Sequence, residues 1–267
     1  VRGAAYATVI ATGISMLLCL FFIAKKYPIL RFHTKYVGKN MSYAKELLST
    51  GLSMGFMIVV TSIGTVALQG AVNSLGETII AAQISARKID DIFMWPLGSL
   101  ALATSTFTSQ NFGAGQYKRV QDGIKGGIHL ALIWSVFSIV VLFSFGGLLI
   151  PLVSGSRNAD ILNAAKMYIR INSAFFPALC ILLILRSSLQ GLGRKLMPNI
   201  GSIIEMVLKF GSVNLIAAGL GYFGVCILEP AVWIICTPLL AWNYRKTISY
   251  IMKTSVHANE KSIGNAY

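Results

Sequence analysis

The chain of 267 residues is 55% hydrophobic and 12% charged, with a mean hydropathy of +0.69, which excludes a soluble domain that must cover itself with polar surface. A net charge of +14 would point a soluble protein toward nucleic acid. Here the basic residues gather in alternate connections between apolar stretches and no aromatic-basic reading surface accompanies them, so nucleic acid is excluded as a partner.

A bilayer core about 30 Å thick needs roughly 20 apolar residues at 1.5 Å rise, and the chain supplies such stretches about seven times. The first, Gly3 to Ala24, carries no charge and is bracketed by Arg2 and by Lys25-Lys26. Lys25 to Lys45 follows as a long basic connection, with Pro28, Gly38 and Asn40 as helix breakers. The next spans read at about 47–75 and 78–110, joined by the turn Asn73-Ser74-Leu75-Gly76-Glu77, where Gly and Asn form the turn and Glu77 suits a helix N-terminus. The stretch 78–110 is longer than one crossing requires, so it is either tilted, kinked at Pro96, the natural kink, or partly outside the hydrocarbon. Spans at about 126–154, 161–187, 198–219 and 223–243 complete the set, and the segment after about Ser249 reads as a polar, frayed tail. The fold class is therefore all-α, a polytopic transmembrane helix bundle.

Loop charge gives an orientation. Lys118, Arg119 and Lys125, then Arg186, Arg194 and Lys195, then Arg245, Lys246, Lys253 and Lys261 share one side with the Lys25–Lys45 connection, whereas the opposite connections hold only Arg2 and Arg157. The positive-inside rule places the N-terminus outside and the C-terminus in the cytoplasm of a multi-pass protein of the cell membrane. Val1 stands just before a span with no signal-peptide pattern, so the chain is expected to begin part-way through a longer protein. Cys19, Cys180, Cys226 and Cys236 fall inside spans, and their spacing fits neither a disulfide framework nor a metal site. No cofactor is expected.

Ionisable residues inside spans are costly, and they are the default functional candidates in a membrane protein. Arg87, Lys88, Asp90 and Asp91 form one group; on a helix Arg87 reaches Asp90 and Asp91, and Lys88 reaches Asp91, so the group can neutralise itself locally or form a polar wall of a transport cavity. Glu205 and Lys209 form an i,i+4 pair with the character of a structural tie between helix ends. Glu229 precedes Pro230 with no basic residue within four positions; a carboxylate in lipid either holds a proton or meets a cation from another helix, which makes Glu229 a proton-relay candidate. Gln69 and Asn73, one turn apart, can present amides to a cavity or bond between helices. Lys166 and Arg170 are explained by snorkelling to the interface.

An enzyme is not expected. Asp90-Asp91 could be half of an aspartate-rich, magnesium-binding prenyltransferase site, but such a site needs a second acidic cluster, and the chain's nine acidic residues offer none.

Three stretches resemble the multidrug and toxic compound extrusion (MATE) family: Gly51-Leu52-Ser53-Met54-Gly55 through Gln69 to Asn73-Ser74-Leu75-Gly76; Ile79-Ile80-Ala81-Ala82 through Arg87, Pro96 and Ala103 to Gln110-Asn111-Phe112-Gly113-Ala114-Gly115; and Leu189-Gln190-Gly191-Leu192-Gly193 followed by Pro198 and Glu205. The resemblance implies twelve spans in two six-helix lobes that open alternately to either side and export drugs or amphipathic, cationic metabolites in exchange for protons or sodium. It implies that residues 1–24 are the last helix of the N-terminal lobe, 25–45 the basic cytoplasmic interlobe loop, 46–245 the six-helix C-terminal lobe and 246–267 a cytoplasmic tail. The partners it implies are the bilayer, a small-molecule substrate and an N-terminal lobe beyond this chain.

One departure bears on coupling. Some family branches carry a coupling acid in the first and fourth helices of the C-terminal lobe, yet here about 47–75 and 171–185 contain no Asp or Glu. Others use an Asp in the first helix of the N-terminal lobe, which would leave Asp90, Asp91 and Glu229 as accessory groups. The alternatives are a flippase of the same superfamily for a lipid-linked saccharide, which a more strongly basic cavity would favour, and a non-transporting membrane scaffold or half-transporter.

Overall fold

Among the described residues, which are 2–27, 41–215 and 219–264 in this computed structural model, every element of secondary structure is a helix. In chain order they are α1 (Arg2–Lys26), α2 (Met41–Asn73), α3 (Glu77–Gly113), α4 (Tyr117–Ser154), α5 (Ala159–Ala174), α6 (Phe176–Gly191), α7 (Leu196–Phe210), the short α8 (Ser212–Leu215) and α9 (Gly221–Gly264). The chain divides into two compact units, Val1–Ser49 and Thr50–Tyr267. In the first, α1 exposes apolar side chains such as Ile10, Leu17 and Phe21. Most of the expected connection, 28–40 with Arg31, Lys35 and Lys39, lies outside the described residues, while helix takes up its two ends as far as Lys26 and from Met41.

Among the described residues, all seven apolar stretches are mainly helical. By length and apolarity α1, α2, α4 and α9 can each cross a bilayer, and α5 with α6, taken together as a bent pair, is apolar enough for a fifth broken span or a re-entrant loop. The remaining two stretches are α3, whose 37 residues include the charged group at 87–91, and α7 with α8. At 15 residues and about 1.5 Å per residue, α7 spans only roughly 22 Å.

Two local expectations are corrected. Residues 161–187 do not form one helix; α5 and α6 meet at an angle of 55°. Pro177 stands in the first turn of α6, where it has no N–H to give to the Ser173 carbonyl and its ring crowds that carbonyl. At Pro96, the expected kink position, α3 is a single helix from Glu77 to Gly113. The indole of Trp134 donates to the Phe93 carbonyl at 2.9 Å, one turn before the proline, where the helix ladder is loosened. The second correction concerns the tail: α9 continues past Ser249 to Gly264, where Ile248 and Ile251 sit one turn apart on a buried face and pack with Val120, Ile124 and Leu192.

The ends of the helices follow their residues. Glycine with positive φ ends α4 at Gly155, whose N–H bonds the Pro151 carbonyl, and the Asn158 side chain caps α5 by accepting from Asp160 N at 2.9 Å. In the second unit the main core joins Leu68 and Val72 of α2, Ala86 and Ile89 of α3, Leu142 of α4, Ile169 of α5, Phe176 of α6 and Leu240 of α9. Helices in lipid gain from close packing of backbones, and Gly191 shows the tolerance: a Cβ there would lie 2.6 Å from the Ser105 carbonyl oxygen of α3. Gly191→Ala is therefore expected to cost about 1–3 kcal/mol by overpacking, read as a lowered midpoint of thermal unfolding in detergent. Gly126→Ala, where no atom lies within 4 Å of the added Cβ, should show no loss.

Candidate functional site

Helices α3, α5 and α9 all enter the bundle from one end, through the turns before Glu77, Ala159 and Gly221. Counted at about 1.5 Å per residue, Arg87, Tyr168 and Glu229 lie roughly 15, 14 and 12 Å along their helices, at a shared depth. Their side chains meet there. The Arg87 guanidinium lies 3.3 Å from Glu229 Oε1, and the Tyr168 hydroxyl donates to Glu229 Oε2 at 2.9 Å. Because α7 stops at Phe210, its last turn ends inside the bundle and delivers Lys209, 5% exposed, to the same place. Lys209 Nζ is 3.9 Å from Glu229 Oε1 and 2.9 Å from Glu205 Oε1. A cation in the last turn also faces the negative end of the helix dipole.

The chain of charge continues. Arg186 of α6 lies 3.4 Å from Glu205 Oε2, and Lys209 Nζ donates to Thr65 Oγ1 of α2 at 3.4 Å. Close approach of α2 to α7 depends on Gly64, where a Cβ would lie 3.0 Å from Met206 Cα and 3.3 Å from Lys209 Cδ. Three cations and two glutamates thus form one network across α3, α6, α7 and α9. Such a network is tolerated in an apolar bundle because each charge has an opposite partner and added hydrogen bonds.

Beside it, Asp90 is 6% exposed, and its Oδ1 has no hydrogen-bond partner. Gln83 accepts from the Tyr222 hydroxyl at 2.5 Å while its Nε2 stays unpaired, as does Oδ1 of the buried Asn172. Buried polar groups are ordinarily paired; a patch of unpaired ones next to a carboxylate offers places for a proton or hydrated ion to be held. A cavity of about 440 Å³ opens on the α2 side, lined by Met57, Thr61, Ser62, Thr65 and Arg186 among others.

The residues expected from sequence are distributed unevenly. Arg87, Glu229, Glu205 and Lys209 are brought together, the last two through the i,i+4 pair that their spacing indicates. The group at 87–91 does not neutralise itself: among the described residues no ion pair within 4 Å joins Arg87 or Lys88 to Asp90 or Asp91, and Arg87 turns instead to Glu229. Lys88 and Asp91 are exposed, whereas Asp90 is buried. Gln69 and Asn73 bond each other at 2.9 Å, apart from the network. Tyr168 and Arg186 are the members that sequence reasoning missed. Arg186 reads as a loop residue, yet α6 carries on to Gly191 and keeps it inside, opposite Glu205.

The sequence model of the MatE family matches residues 53–213, more than half of the chain, and the match takes in Arg87, Asp90, Tyr168, Arg186, Glu205 and Lys209. The chain belongs to the MatE family. MatE proteins are transporters, and two curated proteins of Bacillus subtilis (strain 168) are similar to this one. Probable multidrug resistance protein YpnP is 25% identical over 226 residues, which are 84% of this chain and 50% of that protein. Probable multidrug resistance protein YoeA is 30% identical over 149 residues, 54% of this chain and 32% of that protein. The chain thus spans half or less of the length of these relatives. Among solved structures, MATE in the bent conformation superposes with a TM-score of 0.85 at 20% identity, covering 95% of this chain and 57% of that one. The outward-facing conformation of a multidrug resistance MATE family transporter of the MOP superfamily gives 0.85 at 20% identity, covering 94% and 57%. These likenesses show that the MatE fold is shared.

Proposed function

We propose that this chain is the C-terminal part of a cation-coupled antiporter, which exchanges protons or sodium for amphipathic or cationic drugs and metabolites. The observation that carries the reading is the buried network of Arg87, Glu229, Lys209, Glu205 and Arg186 in an apolar helix bundle. Charge kept inside a membrane protein at that cost serves passage of ions or polar substrate. Membership of a transporter family and the names of the two Bacillus proteins support export as the direction. In this reading residues 3–24 close an N-terminal lobe, the remaining helices form the C-terminal one, the N-terminus lies outside, and substrate moves between the lobes. The flippase reading gains little, since the cation in the α2-side cavity, Arg186, already faces Glu205.

Expression of the whole gene product in cells lacking their own drug exporters is expected to lower accumulation of a cationic dye, and unchanged accumulation would count against the proposal. In the same assay Glu229→Gln is expected to flatten the dependence of export on external pH. It removes one titratable carboxylate while leaving Arg87, Asp90, Tyr168 and Lys209 around it. An unshifted profile would make Glu229 a structural group only.

A further inference from the structure

A second charged site lies at the opposite end of the same bundle, away from the network. The turn between α6 and α7 and the distal half of α9 enclose a cavity of about 530 Å³, lined by Arg194, Lys195, Leu196, Asn243, Lys246 and Tyr250 among others. Among the described residues that line it, none is a carboxylate. The turn is fixed rather than loose: Gly193 takes φ 72°, its N–H bonds the Gln190 carbonyl at 2.9 Å, and the Arg194 N–H bonds the Leu189 carbonyl at 2.8 Å. Arg194 and Lys195 are thereby held at the cavity wall, and Lys246 comes from the facing helix. The first turn of α7 adds its unpaired N–H groups at Leu196 and Met197, the positive end of a helix of 15 residues.

We propose that this cavity binds the headgroup of an anionic phospholipid, with the phosphodiester among Arg194, Lys195 and Lys246 and a headgroup hydroxyl donating to Asn243. Asn243 Oδ1 is buried in the cavity wall with no hydrogen-bond partner, an acceptor that a headgroup hydroxyl would satisfy. The surroundings select a lipid over a free anion. Leu196 is 70% exposed, and Trp242 beside the cavity is also exposed, with Lys246 Nζ 5.5 Å from its ring centroid. An indole and a lysine together are the usual furniture of the headgroup level, and the exposed apolar side chains give acyl chains a surface. Basic pockets between helices on the positively charged side are a recognised form of headgroup site. The site is independent of the transport reading, for it shares no residue with the network.

The test is a titration of the detergent-solubilised full chain with phosphatidylglycerol, followed by native mass spectrometry. Phosphatidylcholine and inorganic phosphate serve as the other arms. One phosphatidylglycerol is expected to bind at least about tenfold more tightly than phosphatidylcholine, with inorganic phosphate failing to compete. Near a membrane each cation is worth roughly a fivefold factor, so Lys246→Gln should weaken binding about fivefold and Arg194→Gln with Lys246→Gln about thirtyfold. The control, Lys118→Gln with Arg119→Gln, removes the same charge from the neighbouring basic turn and should leave binding unchanged. Equal loss in the two double variants, equal binding of phosphatidylcholine, or displacement of the lipid by inorganic phosphate would each overturn the proposal.

Discussion

Glu229→Gln is expected to lower the thermal stability of the detergent-solubilised protein. Glu229 is the carboxylate that Arg87 and the Tyr168 hydroxyl share, and Lys209 lies 3.9 Å from it. Loss of its charge leaves Arg87 with no carboxylate within 4 Å among the described residues. Removing one member of a buried pair costs about 3–5 kcal/mol because the other charge is stranded. The Arg87 side chain retains 31% exposure, which argues for the lower end, about 3 kcal/mol. The decisive comparison is Arg87→Gln combined with Glu229→Gln. Removing both charges strands neither, so the double variant should recover most of the loss. If the two single losses simply add, the residues do not act as a pair.

Lys209→Met is expected to act on export rather than on folding. Lys209 is joined to both glutamates and to Thr65 of α2. Without it Glu205 keeps Arg186 and Glu229 keeps Arg87, so the stability cost should stay near 1–2 kcal/mol. Its loss cuts the link between α7, α9 and α2, and α2 borders the cavity of Thr61 and Thr65. Export of a cationic dye should therefore fall more than about tenfold, corresponding to some 1.4 kcal/mol of coupling. Export that falls only in proportion to the folded protein would show that Lys209 merely holds the helices together.

Much of the architecture is legible in the sequence because it rests on one-dimensional quantities. Span length, glycine turns and loop charge all act over a few residues, so the apolar stretches, the turn at Gly76 and the i,i+4 contact of Glu205 with Lys209 can be read directly. The break at Pro177 and the buried face of Ile248 and Ile251 are also local signals, but weak ones: a single proline and two apolar residues in a polar segment. The centre of the site is of another kind. Glu229 meets Arg87 across 142 residues and Tyr168 across 61, and no periodicity reports a contact of that range. An isolated carboxylate beside Pro230 shows only that a partner is needed. The same limit explains the group at 87–91. Spacing alone favours local neutralisation, whereas packing sends Arg87 to another helix and buries Asp90 while leaving Asp91 exposed. Arg186 illustrates the cost of reading every basic residue as a topology marker, since the charge that accommodates it comes from Glu205 on a different helix.

The central claim, exchange of cations for an amphipathic compound, is tested most directly with the purified full-length gene product in sealed liposomes. A proton gradient and a sodium gradient would be imposed separately while a cationic dye is followed across the membrane. The account predicts that one of the two gradients drives dye against its concentration difference, in the direction opposite to the ion, and that Glu229→Gln weakens the coupling. Dye that stays in place under both gradients, with the protein folded and inserted, would contradict it.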